Sequence, residues 1–238
     1  IGGTTTDLSL FINQNPVFKP KGMELDNYKT LIKGLYNQSI ACGGDSLVTI
    51  SNNQLQIGPQ RKGPAAAFGG SDPTPTDALV VLDLINLGDK QAALTSLQPL
   101  AKKLKLPVPK LATKIITRFC NKIESKIQEI ITKLNHQPVY TINELLTDTK
   151  INPTKIVGIG GPAEAIIPKL ANTMNLDYTV PNNSKIANAI GAALAKVTQK
   201  CTLYADTAQG YYNIPELSIT EKTTANFNLE QAKQITKE

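Results

Sequence analysis

The sequence predicts an α/β fold interrupted by a helical stretch. Three observations carry this. Residues 155–204 alternate short apolar, β-branched runs with stretches periodic at 3.6 residues, the signature of strands joined by helices. Residues 77–146 carry long helical periodicity without strand signals. The chain has 238 residues, 41% of them hydrophobic and 18% charged, enough for a sizeable core and too apolar for intrinsic disorder.

Taken in order, Ile1–Phe18 reads as a hairpin. A Gly2-Gly3-Thr4 turn feeds alternating Leu8, Leu10 and Ile12, Asn13–Pro16 turns the chain, and Val17-Phe18 begins the return. Residues 20–76 are turn-rich: Cys42-Gly43-Gly44-Asp45-Ser46, a strand over Leu47–Ile50, the turn Ser51-Asn52-Asn53, a second strand over Leu55–Ile57, then a loop thick with Gly, Pro and Ala. Two amphipathic helices follow, near Asp89–Leu104 and Lys110–Leu134, separated by Pro107 and Pro109. They should form a helical hairpin. Then come a strand over Ile156–Ile159, the turn Gly160-Gly161-Pro162, a helix over Ala163–Met174, a strand near Tyr178–Val180 and a helix from Ser184 to about Val197. Leu229, Ala232 and Ile235 mark one side of a last amphipathic helix. The expected division is 1–76 (hairpin and loop region), 77–150 (helical insertion) and 151–238 (α/β part).

Several function classes fall away. The longest apolar run, Ala78–Leu87, is broken by Asp83 and is far short of the roughly 20 residues that cross a bilayer. Three scattered cysteines (Cys42, Cys120, Cys201) form no CxxC pair, which argues against a disulfide scaffold or zinc ribbon and for a reducing, cytoplasmic setting. The chain starts at Ile1 with no signal-like segment, and its last helix stops abruptly, so it reads as a piece of a longer protein. The net charge of +6 invites a nucleic-acid partner, but its distribution does not support one. Residues 89–150 hold 11 Lys and Arg against 5 Asp and Glu; elsewhere the signs balance at 14 each. Lys110, Lys114, Arg118, Lys122 and Lys126 recur every four residues opposite an apolar stripe from Leu111 to Leu134, the pattern of a solvated helix face. With only two Arg and no Trp, the forks and stacking platforms used on nucleic acids are scarce.

The chemistry-bearing signals are glycine turns at strand ends. A residue without Cβ lets backbone N–H groups turn toward a phosphate, and neighbouring Thr hydroxyls can donate to its oxygens. Gly2, Gly3, Thr4, Thr5 and Thr6 form one such turn and Gly160, Gly161, Pro162 and Ala163 another, so both are candidate nucleotide cradles that should face one cleft. Read singly, each is also compatible with a plain hairpin turn or a helix start with Pro near its first position.

In this order the motifs resemble a known superfamily. Ile1-Gly2-Gly3-Thr4-Thr5-Thr6-Asp7 is similar to the second phosphate hairpin of the actin, sugar kinase and heat-shock chaperone ATPases. Ile156–Ala163 resembles their adenosine loop, and Ile186–Ala193 the helix that follows. Between them, Ala41–Ser46, Ile57-Gly58-Pro59, Gly63-Pro64-Ala65, Phe68-Gly69-Gly70 and Pro75–Ala78 resemble the large domain of the hydantoinase/oxoprolinase family. The resemblance spans about Ile1 to Ala195. It implies an RNase H-like fold (actin-like ATPase) that clamps ATP and magnesium, this chain supplying mainly the second half, with the missing N-terminal half as its partner and an oligomer possible. It also implies ATP-dependent opening of a cyclic amide such as 5-oxoproline or a hydantoin. The alternative is a non-hydrolytic ATP-binding subunit or activator, for example of a ketone carboxylase. The family pattern has an Asp immediately before the position of Ile1, so the chain is expected to be catalytically incomplete. It also favours glycine where Asp45 stands.

Among the remaining residues, Asp7 is the carboxylate best placed for an outer role around magnesium, or else an ordinary hairpin aspartate. His136, the only histidine, excludes a His-based metal cluster, and its place in the polar break Asn135-His136-Gln137-Pro138 reads as a surface loop residue rather than a general base, so Ser-His-Asp catalysis is not supported. Cys42 reads as a small packing residue or a nucleophile without an identified base. Asp77 reads as the N-cap of the helix after it.

Overall fold

The structure is a computed structural model; it describes residues 1–19, 22–25, 28–30, 32, 34–136, 150–195, 201–224 and 226–236. Its contacts fall into two units, Ile1–Ile190 and Gly191–Glu238. The expected helical residues 137–149 and the last residues of the helix expected to end at Val197 lie outside the described residues.

The first unit opens with β1 (Thr6–Ser9), β2 (Phe11–Ile12), β3 (Asn15–Pro16), β4 (Glu24–Leu25), β5 (Tyr28–Lys29) and β6 (Asn37–Ile40). Asn13 and Gln14 both adopt positive φ, 49° and 67°, which makes the two-residue turn joining β2 to β3. The expected hairpin is therefore only a tip. It runs one bond past Pro16, where the Val17 N–H donates to the Leu10 carbonyl at 2.9 Å, and β1 pairs instead with β6, Thr6 opposite Ile40 and Ser9 opposite Asn37. Then β7 (Val48–Ser51) and β8 (Gln54–Ile57) form the second expected hairpin, with Asn52 and Asn53 at φ 49° and 57°. Its inner pair, Val48 and Ile57, is buried against the helices.

Three helices occupy the middle: α1 (Pro75–Val81), α2 (Lys90–Lys103) and α3 (Val108–Asn135). The Asp89 carboxylate caps α2 by accepting from the N–H groups of Gln91 and Ala92. Pro109 sits inside the first turn of α3, where no N–H partner is needed, so the helix starts earlier than the prolines suggest. The apolar stripe lands as expected: Leu111, Ile115, Ile116, Phe119 and Ile123 are buried. α2 and α3 pack on one another, as a helical hairpin requires. α3 packs on α1, α2 and β8, and also on α4 (Ala163–Met174), so the helices share one core with both flanking segments. The basic face of α3 is also less uniform than its spacing implied. Lys110, Lys114 and Arg118 are exposed, but the half-buried Lys122 ammonium donates to the Ile57 carbonyl at 2.6 Å.

The strand β9 (Lys155–Val157), α4 and β10 (Asp177–Thr179) form a parallel strand pair joined by a helix. A one-turn 3₁₀ segment at Ser184–Ile186 leads into α5 (Ala187–Leu194). The second unit is a meander of β11 (Tyr204–Asp206), β12 (Tyr211–Ile214) and β13 (Ile219–Lys222), followed by α6 (Leu229–Ile235). Its core contact stacks Tyr212 on Phe227, ring centroids 5.7 Å apart, while the Tyr212 hydroxyl donates to Glu221 at 2.5 Å. Sequence patterning does not reveal this meander, because its strands are three or four residues long and mostly polar outside Tyr and Ile. None of the described helices is long and apolar enough to cross a membrane.

Candidate functional site

Three glycine-bearing loops meet within the first unit. The Gly2 N–H donates to the Thr5 carbonyl at 2.9 Å, closing the first turn. That turn is bonded to the Cys42–Ser46 loop: Gly44 N–H donates to the Gly2 carbonyl at 2.9 Å and Asp45 N–H to the Gly3 carbonyl at 2.7 Å. Below them the buried Thr6 hydroxyl donates to the Cys42 carbonyl at 2.7 Å, and the Thr76 hydroxyl to the Gly44 carbonyl at 2.8 Å. The third loop joins through the Ile1 nitrogen, which donates to the Ile159 carbonyl at 2.7 Å.

The glycines do something other than leave room for a ligand. A Cβ on Gly3 would lie 2.6 Å from the Asp45 carboxylate, and one on Gly44 would lie 2.7 Å from the Thr76 hydroxyl. A Cβ on Gly43 would meet the carbonyls of Gly2 and Gly3, at 2.6 Å and 2.5 Å. At Gly160, whose φ is 103°, it would overlap the Ile1 carbonyl. These positions are small so that the three loops can touch one another. Gly161 alone among them faces open space, where a Cβ would find no atom within 4 Å.

That space belongs to a cleft of about 610 Å³ lined by Gly2, Gly3, Gly44, Asp45, Gly161 and Pro162, with Phe68 and Leu87 on its apolar side. The volume is typical of small-molecule sites. Gly2, Gly3, Gly161 and Pro162, predicted from sequence to face one cleft, are brought together there. Thr4, Thr5, Thr6, Gly160 and Ala163 support these loops without lining the cleft. Asp7 points outward from β1 opposite Ser39, and its carboxylate meets the Thr5 hydroxyl at 3.4 Å. A larger depression of about 740 Å³ lies between β7 and α2 and contains none of the glycine turns predicted to bind nucleotide.

Two features, one beside the cleft and one in its wall, have no signature in the sequence. Arg61 reaches the first turn from the 58–64 loop, donating to the Thr4 hydroxyl at 3.0 Å and to the Asp45 carboxylate at 2.9 Å. Lys185 and Glu164 form an ion pair at 3.5 Å on the opposite wall. Neither pair has a local spacing that would mark it. Cys42 resolves as a packing residue: it is fully buried, and burial pushes its thiol up to about 11, against the nearby Lys122 charge, so it is a poor nucleophile. Asp77 is not an N-cap. Thr74 caps α1, and Asp77 is the third residue of a capping box, its buried carboxylate accepting from Thr74 N–H and hydroxyl and from Ala67 N–H.

The first unit is thus a mixed α/β unit in which three interlocked glycine loops border one cleft. Its fold is shared with a solved structure of acetone carboxylase in a nucleotide-free state, from work on ATP-dependent acetone carboxylation. The TM-score is 0.67 at 18% identity, covering 86% of this chain and 29% of that one. The chain belongs to the hydantoinase/oxoprolinase family, whose model matches residues 1–201. It is also 31% identical over 96 residues to the acetophenone carboxylase gamma subunit of Aromatoleum aromaticum, covering 36% of this chain and 13% of that protein. The chain thus spans less than a third of the length of either relative.

Proposed function

We propose that this chain is the nucleotide-binding part of an ATP-dependent enzyme that activates a carbonyl substrate, with ATP held between the Gly2–Thr6 turn and the Gly160–Ala163 loop. The observation that carries the reading is the convergence of these loops, from opposite ends of the first unit's sequence, on one cleft in which Gly161 faces open space. The RNase H-like, actin-type organisation implied by the motifs belongs to the same reading, with a second half of the fold closing the cleft from outside this stretch. A cytoplasmic location accords with the three free thiols.

ATP fits the residues present, since the cleft has the volume and unhindered backbone beside a glycine. When bound, it supplies a phosphoryl group that turns a resonance-stabilised amide or unreactive carbonyl oxygen into a better electrophilic centre. This chain's part is to bind and orient: backbone edges of the loops set the position, and Phe68 and Leu87 exclude water from the apolar wall. Magnesium would come with the phosphates of ATP, needing only one or two carboxylates beside them. Among the described residues no group of three or more His, Cys, Asp or Glu could hold a metal ion, and Asp7 lies off the cleft.

The substrate of the first reading is a cyclic amide of the hydantoin or 5-oxoproline type. The similarity to a carboxylase gamma subunit and to acetone carboxylase favours a second, an ATP-binding subunit of a ketone carboxylase assembly. ATP hydrolysis by the intact protein, measured with 5-oxoproline or hydantoin and separately with a ketone plus bicarbonate, separates the two. Gly161→Val tests the site itself: it should keep a wild-type circular dichroism spectrum and lose ATP binding. Unchanged binding would remove the Gly161 loop from the site.

A further inference from the structure

We infer that Arg61 decides whether the cleft accepts a phosphoanion, by cancelling the charge of the Asp45 carboxylate that lines it. The inference rests on the nucleotide reading above and names the pair that sets its phosphate end. Asp45 stands at the junction of the Gly2–Gly3 turn and the Cys42–Ser46 loop, and its carboxylate occupies the space a Gly3 side chain would take, 2.6 Å from that Cβ position. A carboxylate there opposes any phosphate brought to the same backbone, because like charges at such range repel strongly in a partly desolvated cleft. The Arg61 guanidinium answers it from the other side. It donates to Asp45 at 2.9 Å and to the Thr4 hydroxyl at 3.0 Å, and its Nε donates to the Gly63 carbonyl at 3.3 Å. It also lies 3.8 Å from the Gly3 Cβ position, so its charge sits beside the cradle.

Its geometry makes the pair more than a surface ion pair. The planar fork holds Asp45 and Thr4 together and so fixes the first turn from behind the cleft lining, acting on the cleft through Asp45. The Asp45 side chain is only 19% exposed while Arg61 is 41% exposed, so the carboxylate is the member that depends on its partner for neutralisation. Arg61 is therefore a positioning and specificity residue: it leaves the nucleoside end untouched and sets the affinity of the phosphate end.

The test is calorimetric titration of the intact protein and its variants with ATP and, separately, with adenosine. Arg61→Gln should weaken ATP binding at least tenfold and leave adenosine binding within twofold. Adding Asp45→Asn to Arg61→Gln should restore most of the ATP affinity, since the charge that needed cancelling is gone. Arg61→Lys, which keeps the charge without the fork, should retain most of it. Thermal melts establish that each variant is folded, and the Lys variant keeps the test open if the Gln variant is not. Loss of ATP binding that Asp45→Asn does not rescue and Arg61→Lys reproduces would make Arg61 a structural strut and overturn the inference. Equal ATP affinity in Arg61→Gln and wild type would overturn it as well. Wild-type protein that binds adenosine but gains nothing from the phosphates overturns this assignment alone, whereas wild type that binds neither overturns the nucleotide reading with it.

Discussion

Asp77→Ala should be the most damaging single side-chain truncation outside the helix core. The carboxylate is wholly buried and accepts three hydrogen bonds, from Ala67 N–H at 2.8 Å, Thr74 N–H at 2.9 Å and the Thr74 hydroxyl at 2.8 Å. Truncation leaves two buried backbone donors unpaired, at about 1–3 kcal/mol each, and removes half of the capping box, about 1 kcal/mol more. The expected loss is about 4 kcal/mol, a large share of the roughly 5–15 kcal/mol typical of a domain. The 3₁₀ turn Ala66–Phe68, which carries Phe68 to the cleft wall, hangs on one of these bonds, so ligand binding should weaken in parallel. Asp77→Asn keeps one acceptor oxygen and should cost about half as much. Urea unfolding followed by far-ultraviolet circular dichroism measures both. A loss below about 1 kcal/mol for the Ala variant would refute the reasoning, since it would mean that those N–H groups find other partners without effort.

Ile123→Ala should cost about 2–4 kcal/mol in the same assay by opening a cavity under α3, whereas Lys114→Gln, on an exposed charge, should be neutral and Lys122→Gln should cost about 1–2 kcal/mol through its lost bond to the Ile57 carbonyl. Gly160→Ala should destabilise by more than Gly161→Ala, because the first needs a positive φ and collides with the Ile1 carbonyl while the second meets open space; thermal melts of the pair decide. Burial pushes the thiols of Cys42 and Cys120 up to about 11, so the folded form holds its protons longer than the unfolded one. Stability should therefore be unaffected by these groups below about pH 9 and fall as pH rises from there to about 11, a decline that Cys42→Ala and Cys120→Ala should reduce. Iodoacetamide at about pH 8 should modify Cys201, which is half-buried, and spare the other two until the protein unfolds.

What the sequence determined by itself were the elements whose signals are local. Asn52-Asn53 specify their hairpin turn through residues that tolerate positive φ, and the 111–134 stripe specifies a buried helix face through its period. The glycine turns at 2–3 and 160–161 were legible as loops that could approach a ligand, and their motif order was enough to indicate the family. The tertiary structure alone decided what those glycines accommodate. A missing Cβ says that something comes close, but Asp45, Thr76 and the Ile1 carbonyl are close because chain segments remote in sequence fold onto them, and no local spacing records that. The same holds for charge. Lys122 has the periodic position of a solvated lysine, yet β8 ends beside it and offers a carbonyl; Arg61 looks like one basic residue in a loop, yet it closes on Asp45 and Thr4 from 16 and 57 residues away. Local propensity and periodicity choose the elements, while Coulomb and hydrogen-bond partners are set by distances in space, which only the packed core establishes.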